Sequence, residues 1–122
     1  MKKILIVDDE PLIVRLIATR LKANGYEVFL AYDGLACIQI AQKEFPDLIL
    51  LDLQLPAGGG VHTFDNLKAS VYTSAIPILF ISTIHEKEVS QLIMEMGADG
   101  FIQKNPINLS ELLKMIKDLI GE

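Results

Sequence analysis

Three aspartates stand where two apolar runs end, and carboxylates in such positions can do chemistry. Asp8 and Asp9 follow the run 4–7, and Asp52 follows the run 48–51. If both runs are neighbouring strands of a parallel sheet, the carboxylates meet at its C-terminal edge, where open α/β sheets bind ligands. Converging carboxylates repel one another unless a cation joins them. Hard oxygen ligands suit Mg²⁺ beside phosphate, so the pattern predicts a Mg²⁺ site next to an aspartate that handles phosphate.

The composition limits the classes of protein to which the chain can belong. Its 122 residues, 51% of them hydrophobic, suit one domain with a substantial core. The net charge of −5 and the lack of a basic run argue against direct nucleic-acid binding. No apolar stretch approaches the ~18–20 residues of a membrane span, and the run before Asp8 is too short for a signal peptide. We therefore expect a cytoplasmic protein that does not contact membranes.

The single cysteine, Cys37, excludes an intrachain disulfide. It lies in an apolar stretch with helical periodicity. Buried cysteines are usually inert, so we expect Cys37 to be a small core residue rather than a reactive thiol.

The apolar pattern alternates between strand-like runs and helix-like stripes along the whole chain. Strands are predicted at 4–7, 27–31, 47–51, 76–81 and 99–103. The predicted inward stripes of the intervening helices are Leu12, Ile13, Leu16, Ile17 and Leu21; Ile38, Ala41 and Phe45; Val61, Phe64 and Leu67; Val89, Leu92, Ile93 and Met96; and Leu109, Leu112, Leu113, Ile116, Leu119 and Ile120. Five βα units predict a three-layer α/β/α sandwich around a parallel sheet with right-handed crossovers.

The predicted strand ends bring several reactive groups to one crevice. Strands one and three supply Asp8, Asp9 and Asp52, strand four supplies Ser82, and strand five supplies Lys104. A crevice that holds carboxylates, a hydroxyl and an ammonium is suited to binding a cation and a phosphoryl group together.

These motifs, in this order, resemble the receiver domains of two-component response regulators. The matching stretches are Ile6-Val7-Asp8-Asp9-Glu10-Pro11, Leu51-Asp52-Leu53-Gln54-Leu55-Pro56 with Gly60, Ile81-Ser82, and Gly97-Ala98-Asp99-Gly100-Phe101 with Lys104. The resemblance covers the whole chain as one receiver domain, residues 1–122, without an effector domain. It implies a flavodoxin-like, doubly wound sheet with strand order 2-1-3-4-5.

The resemblance also implies a role for each site residue. Asp52 would accept a phosphoryl group from a histidine kinase or phosphotransfer protein, with Ser82 and Lys104 holding phosphoryl oxygens. Asp8, Asp9, Asp52 and the backbone carbonyl of Gln54 would bind Mg²⁺. Ser82 and Phe101 would form the switch, through which phosphorylation shifts the last two helices and the fifth strand.

By the same resemblance, those last elements would carry the surface that a downstream protein contacts. The residues predicted on their outer side are Lys87, Glu88, Gln91, Glu95, Glu111, Lys114 and Asp118. A merely solvated face is an equally simple interpretation of these residues. The chain is expected to be a monomer or weak dimer, because Asp99 matches the family's dimer pattern but Gly100 replaces a common acidic residue.

The chain departs from the family pattern at two places near the site. Thr83 stands where a very small residue is usual and could crowd the approach to Asp52. Lys104-Asn105-Pro106 replaces the usual Lys-Pro. Either the Lys104–Asn105 bond is cis, which is costly for a non-proline residue, or it is trans and the loop is rebuilt around Pro106. In both cases Asn108 can cap the final helix.

Several residues have simpler interpretations. Acidic residues 8–10 could merely cap the following helix, and a metal role for His62 or His85 is not expected because no second ligand has suitable spacing. Gly58 to Gly60 lack the Lys-Ser/Thr of a phosphate-binding P-loop and predict a mobile loop instead.

Two other functions remain open at this point. One is a protein-binding module that no longer uses phosphate, which the altered residues near the site favour slightly. The other is a Mg²⁺-dependent phosphatase with Asp8 as nucleophile, resembling the haloacid dehalogenase superfamily. That family places a second aspartate where this chain has Glu10, so the receiver interpretation is preferred.

Overall fold

The computed structural model describes residues 1–56, 59–84 and 86–121, and strands and helices alternate through it. The strands are β1 (Lys3–Val7), β2 (Glu27–Ala31), β3 (Leu48–Asp52), β4 (Ile78–Ser82) and β5 (Gly100–Gln103). The helices are α1 (Pro11–Ala23), α2 (Gly34–Glu44), α3 (Gly59–Ala69), α4 (Lys87–Glu95) and α5 (Leu109–Ile120). All four strand pairings are parallel, in the order β2-β1-β3-β4-β5. The predicted flavodoxin-like α/β fold is confirmed.

Strands β1, β3 and β4 are buried on both faces because they are apolar at nearly every position. Alternate residues of a strand point to opposite faces. Leu5, Val7 and Leu51 face a core that includes residues of α2, α3 and α4. Ile6 and Leu50 face a second core that includes residues of α1 and α5. The continuous apolar runs that predicted a doubly covered sheet are therefore explained by the two cores.

The ends of the elements follow their local chemistry. Pro11 begins α1, where its missing N–H is harmless. The Asp33 and Asn108 side chains accept hydrogen bonds from the third residue beyond and so cap α2 and α5. Gly97 has a positive φ of 105° and ends the stretch that contains α4. No helix in the described residues is long and apolar enough to cross a membrane.

Three strands begin one or two residues later than the sequence predicts. The side chains of Asp47 and Asp99 accept the backbone N–H groups of Lys3 and Ile78, at 2.7 and 2.9 Å, just before β3 and β5 start. Pro77 precedes β4 and has no N–H to give to a ladder. These residues therefore precede the strands at the N-terminal edge of the sheet and are not part of them.

Some of the predicted inward residues are exposed. Leu12 is 81% exposed and Leu16 is 49% exposed, because α1 buries the face centred on Val14 and Ile17 instead. Phe45 is 56% exposed, since it ends α2 in the left-handed region with φ 49° and its ring turns outward.

Two further apolar residues lie at the edges of their helices. Val61 on α3 and Leu92 on α4 are exposed. The apolar stripes of these helices are wider than the faces that pack on the sheet, so the marginal residue of each stripe remains in solvent.

The loop predicted at Gly58 to Gly60 is wrong at Gly59 and Gly60, which begin α3. Gly58 and His85 lie outside the described residues.

Cys37 is a small core residue, as predicted. Cys37 lies on the inward face of α2 and is fully buried in the core. Desolvation, with a smaller contribution from the Asp33 charge, raises the pKa of Cys37 to about 12. The thiol therefore stays protonated at neutral pH, and the thiolate is the reactive form.

We predict that native Cys37 resists alkylation. At pH 8 the native protein should react with iodoacetamide at least roughly a hundredfold more slowly than the protein unfolded in urea, since both access and thiolate are lost on folding. Only the unfolded thiol ionises near pH 9, so the free energy of unfolding should fall as the pH rises above that value. Equal native and unfolded alkylation rates would contradict the prediction.

Candidate functional site

Four of the five predicted reactive side chains are buried together at the C-terminal edge of the sheet. Asp8 directly follows β1, Asp52 ends β3, Ser82 ends β4 and Lys104 directly follows β5. Asp9, the fifth, is exposed beside them. Parallel pairing of β1, β3, β4 and β5 brings these strand ends next to one another. The convergence predicted from the sequence is therefore observed.

Lys104 is the cation that holds this group together. Its ammonium nitrogen lies 3.1 Å from Asp8 Oδ1 and 3.2 Å from Asp52 Oδ2, and it also contacts the Glu10 carboxylate. An ammonium has three N–H donors, so three carboxylates occupy all of them. Burial alone would lower the pKa of Lys104, but bonds to Glu10 and Asp8 and the charge of Asp52 raise it overall. The lysine therefore stays charged.

The unusual Lys104-Asn105-Pro106 sequence does not turn the lysine away from Asp52. The one cis bond found in the described residues joins Asn105 to Pro106, so the loop is rebuilt around Pro106, as in the second alternative above. The Lys104 backbone is fixed by its N–H, which donates to the Ser82 carbonyl at 2.8 Å, and by a bridge to Ile107.

Asp8 carries an oxygen whose hydrogen-bonding capacity is unused. Asp8 Oδ1 accepts the Glu10 N–H at 2.8 Å and a bond from Lys104. Asp8 Oδ2 is buried and accepts no hydrogen bond, although the Lys104 ammonium lies 3.0 Å away. Burial raises the pKa of Asp8, and the nearby Asp52 charge adds to the rise, while the bonds to Glu10 and Lys104 oppose it. A further positive charge at this position would be favourable.

Asp52 is held in one orientation at the centre of the site. Its Oδ1 accepts the Gln54 N–H at 3.0 Å, and its Oδ2 accepts from Lys104. The residue is only 1% exposed. Both oxygens are therefore positioned by hydrogen bonds before any ligand arrives.

The three aspartates have a geometry that suits a divalent cation. Asp8, Asp9 and Asp52 each offer a carboxylate oxygen, and these oxygens lie within 4.8 Å of one another. Asp8 Oδ2, which accepts no hydrogen bond, and an all-oxygen donor set fit a hard cation such as Mg²⁺. His62 is not part of this group, because its ring pairs with Asn66 on the exposed face of α3.

The Ser82 hydroxyl is at the site but is occupied by protein groups. Its oxygen accepts the Ile84 N–H at 3.0 Å, and its proton is directed to Gln54 Oε1 at 3.4 Å. The neighbouring Thr83 hydroxyl donates to the same Gln54 oxygen at 2.8 Å. Thr83, predicted to crowd the approach to Asp52, is thus engaged in a polar contact.

Phe101 is partly buried on β5, opposite Phe80 in the ladder, and packs against the core beneath α4. It has no hydroxyl, so any movement of its ring depends on packing alone.

Two contacts of the site were not predicted from the sequence. They are the Glu10 carboxylate on Lys104 and the Gln54 side chain on Thr83. A signal for the second was present, because Gln54 and Thr83 follow the ends of β3 and β4, which are adjacent strands.

Comparisons with known proteins agree with this geometry. The family model of the response regulator receiver domain matches residues 4–117. The polar-differentiation response regulator DivK of Brucella ovis is 31% identical over 121 residues, which cover 99% of this chain and 98% of that protein.

Solved structures give the same result. The chemotaxis response regulator CheY4 of Vibrio cholerae is similar with a TM-score of 0.89 and 32% identity, covering 98% of each chain. The receiver domain of the sensor histidine kinase PA1611 of Pseudomonas aeruginosa, which has a magnesium ion coordinated in its active-site cleft, has a TM-score of 0.88 and 26% identity, covering 99% of this chain and 98% of that one. The chain belongs to the response regulator receiver domain family.

Proposed function

We propose that Asp52 accepts a phosphoryl group from a phosphohistidine of a histidine kinase or phosphotransfer protein. The observation that carries the proposal is the buried contact of Asp52 with Lys104, beside Asp8 and Asp9. A carboxylate is a modest nucleophile, and phosphoryl transfer depends mainly on positioning and charge neutralisation. This network supports both requirements.

The proposed step forms one bond and breaks one bond. An oxygen of the Asp52 carboxylate bonds to phosphorus, the phosphorus–nitrogen bond of the donor breaks, and the electron pair returns to the imidazole. The product is an acyl phosphate, which water later hydrolyses slowly. The domain would thus act as a phosphoacceptor that regulates other proteins rather than as a turnover enzyme.

The other site residues would bind Mg²⁺ and the phosphoryl oxygens. Asp8, Asp9, Asp52 and the Gln54 carbonyl would hold Mg²⁺, which when bound supplies charge that offsets the carboxylates and the phosphoryl group. Lys104 is already 3.2 Å from Asp52 and would bind one phosphoryl oxygen, while Ser82 would donate to another.

The donor protein would approach over the exposed residues of α1. Leu12 and Leu16, which the fold leaves in solvent, line a cavity of about 260 Å³ together with Thr83, Lys104 and Asn105. Exposed leucines beside a charged site are suited to a protein partner rather than to a small molecule. This supports contact with a protein donor.

The output would pass through Ser82 and Phe101 to α4, β5 and α5. Phosphorylation would shift a pre-existing equilibrium of these elements. The seven residues expected on their outer side are all exposed and would be available to a downstream protein. The contact of the Lys104 ammonium with Asp52 favours this switch over a phosphate-independent binding module.

We predict that the protein takes up one phosphoryl group on Asp52. Incubation with acetyl phosphate and Mg²⁺, followed by rapid quenching and intact-mass measurement, should show a single adduct on the wild type. Asp52→Asn should show none, because the nucleophile is lost. The matched variant Asp118→Asn, at an exposed position on α5, should behave like the wild type.

An adduct on Asp52→Asn of equal yield would place the phosphoryl group elsewhere. No adduct on the rapidly quenched wild type would instead favour the phosphate-independent module.

We also predict that Mg²⁺ stabilises the folded protein through the aspartates. At about ten times its dissociation constant, Mg²⁺ should raise the Tm of the wild type by about 4 °C, because it binds only the folded state. Asp9→Asn should reduce this shift, while Asp118→Asn should retain it. Since ligands must be deprotonated and the pKa of Asp8 is raised, the shift should weaken as the pH falls. An unchanged shift in Asp9→Asn would contradict the assigned ligands.

A further inference from the structure

The Gln54 side chain joins the two loops that follow β3 and β4. Its Oε1 accepts the Thr83 hydroxyl at 2.8 Å, the Thr83 backbone N–H at 3.3 Å and the Ser82 hydroxyl at 3.4 Å. A backbone N–H can only donate, so the amide oxygen, rather than the amide nitrogen, faces these groups. We call Gln54 and Thr83 with these bonds the Gln54–Thr83 latch.

The Gln54–Thr83 latch competes for the hydroxyl proton that a phosphoryl group would need. Ser82 has one hydroxyl proton, and the acceptor that the structure offers it is Gln54 Oε1, at the long distance of 3.4 Å. The Ser82 oxygen is occupied in turn by the Ile84 N–H at 3.0 Å. Ser82 therefore cannot donate to a phosphoryl oxygen until its bond to Gln54 is exchanged.

The same residue is also connected to the phosphoacceptor. Gln54 is two residues beyond Asp52, and its backbone N–H donates to Asp52 Oδ1 at 3.0 Å. Asp52 is 1% exposed, whereas the reacting atoms must approach to about 3–3.5 Å for transfer. Some group at the mouth of the site must move before a donor can reach the carboxylate.

We propose that the Gln54–Thr83 latch holds the site in its resting arrangement and that its release limits phosphoryl uptake by Asp52. This inference rests on the proposed function. Gln54 and Thr83 would be positioning residues, because they act through Ser82 and through access to Asp52. No covalent step is involved: the Ser82 proton exchanges its acceptor from Gln54 Oε1 to a phosphoryl oxygen.

There is space for the released side chain. Gln54 borders an apolar cavity of about 280 Å³ between α3 and α4, which is also lined by Leu53, Ile84, Val89 and Leu92. The Gln54 side chain is exposed, so once its contact with Thr83 breaks it can turn away from the site with its amide still in water.

The test measures phosphoryl uptake from acetyl phosphate with Mg²⁺ in the full chain, by rapid quench and intact mass. Thr83→Val keeps the size of the side chain but removes its hydroxyl, and Thr83→Ser keeps the hydroxyl but removes the methyl group. Gln54→Leu removes the acceptor while the Gln54 backbone groups remain. Melting curves of each variant show whether the fold is retained.

We expect Thr83→Val and Gln54→Leu each to speed uptake by about fivefold, the effect of one typical hydrogen bond. Thr83→Ser should remain within about twofold of the wild type, since its hydroxyl restores the latch. The double variant Thr83→Val/Gln54→Leu should be no faster than Gln54→Leu alone, because Gln54→Leu already removes the bond from the Thr83 hydroxyl.

Three results would overturn the inference while leaving the proposed function in place: uptake by Thr83→Val at the wild-type rate, equal acceleration by Thr83→Val and Thr83→Ser, or additive effects in the double variant. Acceleration by Thr83→Ser together with wild-type uptake by Thr83→Val would mean that the bulk of Thr83, rather than its hydroxyl, restricts the site. Absence of uptake by the wild type and every variant would overturn the proposed function and the latch together.

Discussion

The buried contact between the Lys104 ammonium and the carboxylates of Asp8 and Asp52 is the interaction on which this site depends. Removing several charges from water is costly unless each is paired and hydrogen-bonded. Here one ammonium serves three carboxylates, so the site is neutralised only in part, and Asp8 Oδ2 is left without a hydrogen bond. A site in this condition favours a second cation, and under the proposed function that cation would leave the Lys104 ammonium available to bind an incoming anion. The same constraint therefore explains the resting structure and its proposed chemistry.

The fold supplies this arrangement through the register of a parallel sheet. Four strands end at the same edge, and each delivers one buried polar group there. Because the strands below that edge are packed on both faces, their ends are fixed and the side chains need little reorganisation. The loops that follow these strand ends are held by polar contacts instead, such as the hydrogen bond between Gln54 and Thr83. The rigid strand ends thus position Asp52, and the loops, whose polar contacts can exchange, are suited to respond to phosphorylation.

Much of the fold and the central site could be predicted from the sequence. Continuous apolar runs and period-3.6 stripes are dictated by burial. Asp8 and Asp52 were marked by standing directly after apolar runs, and Lys104 by standing directly after a predicted strand. The predictions of buried residues were wrong where an apolar stripe is wider than the helix face that packs on the sheet. The stripe of α1 included Leu12, which is exposed because only one face of the helix can contact the sheet. The contact of Glu10 with Lys104 is between residues distant in sequence and depends on side-chain rotamers, which no periodicity encodes.

The proposed chemistry depends on direct neutralisation of Asp52 by Lys104, and a double-mutant cycle of unfolding free energies tests this interaction. Urea unfolding without divalent cations would compare Lys104→Met in the wild type and in Asp52→Asn. We predict a loss of about 3 kcal/mol in the wild type, because the carboxylates are left buried and unpaired. The loss should be smaller by at least about 1 kcal/mol when Asp52 is already neutral. An equal loss in both backgrounds would show that the ammonium does not interact with Asp52 and would contradict the account.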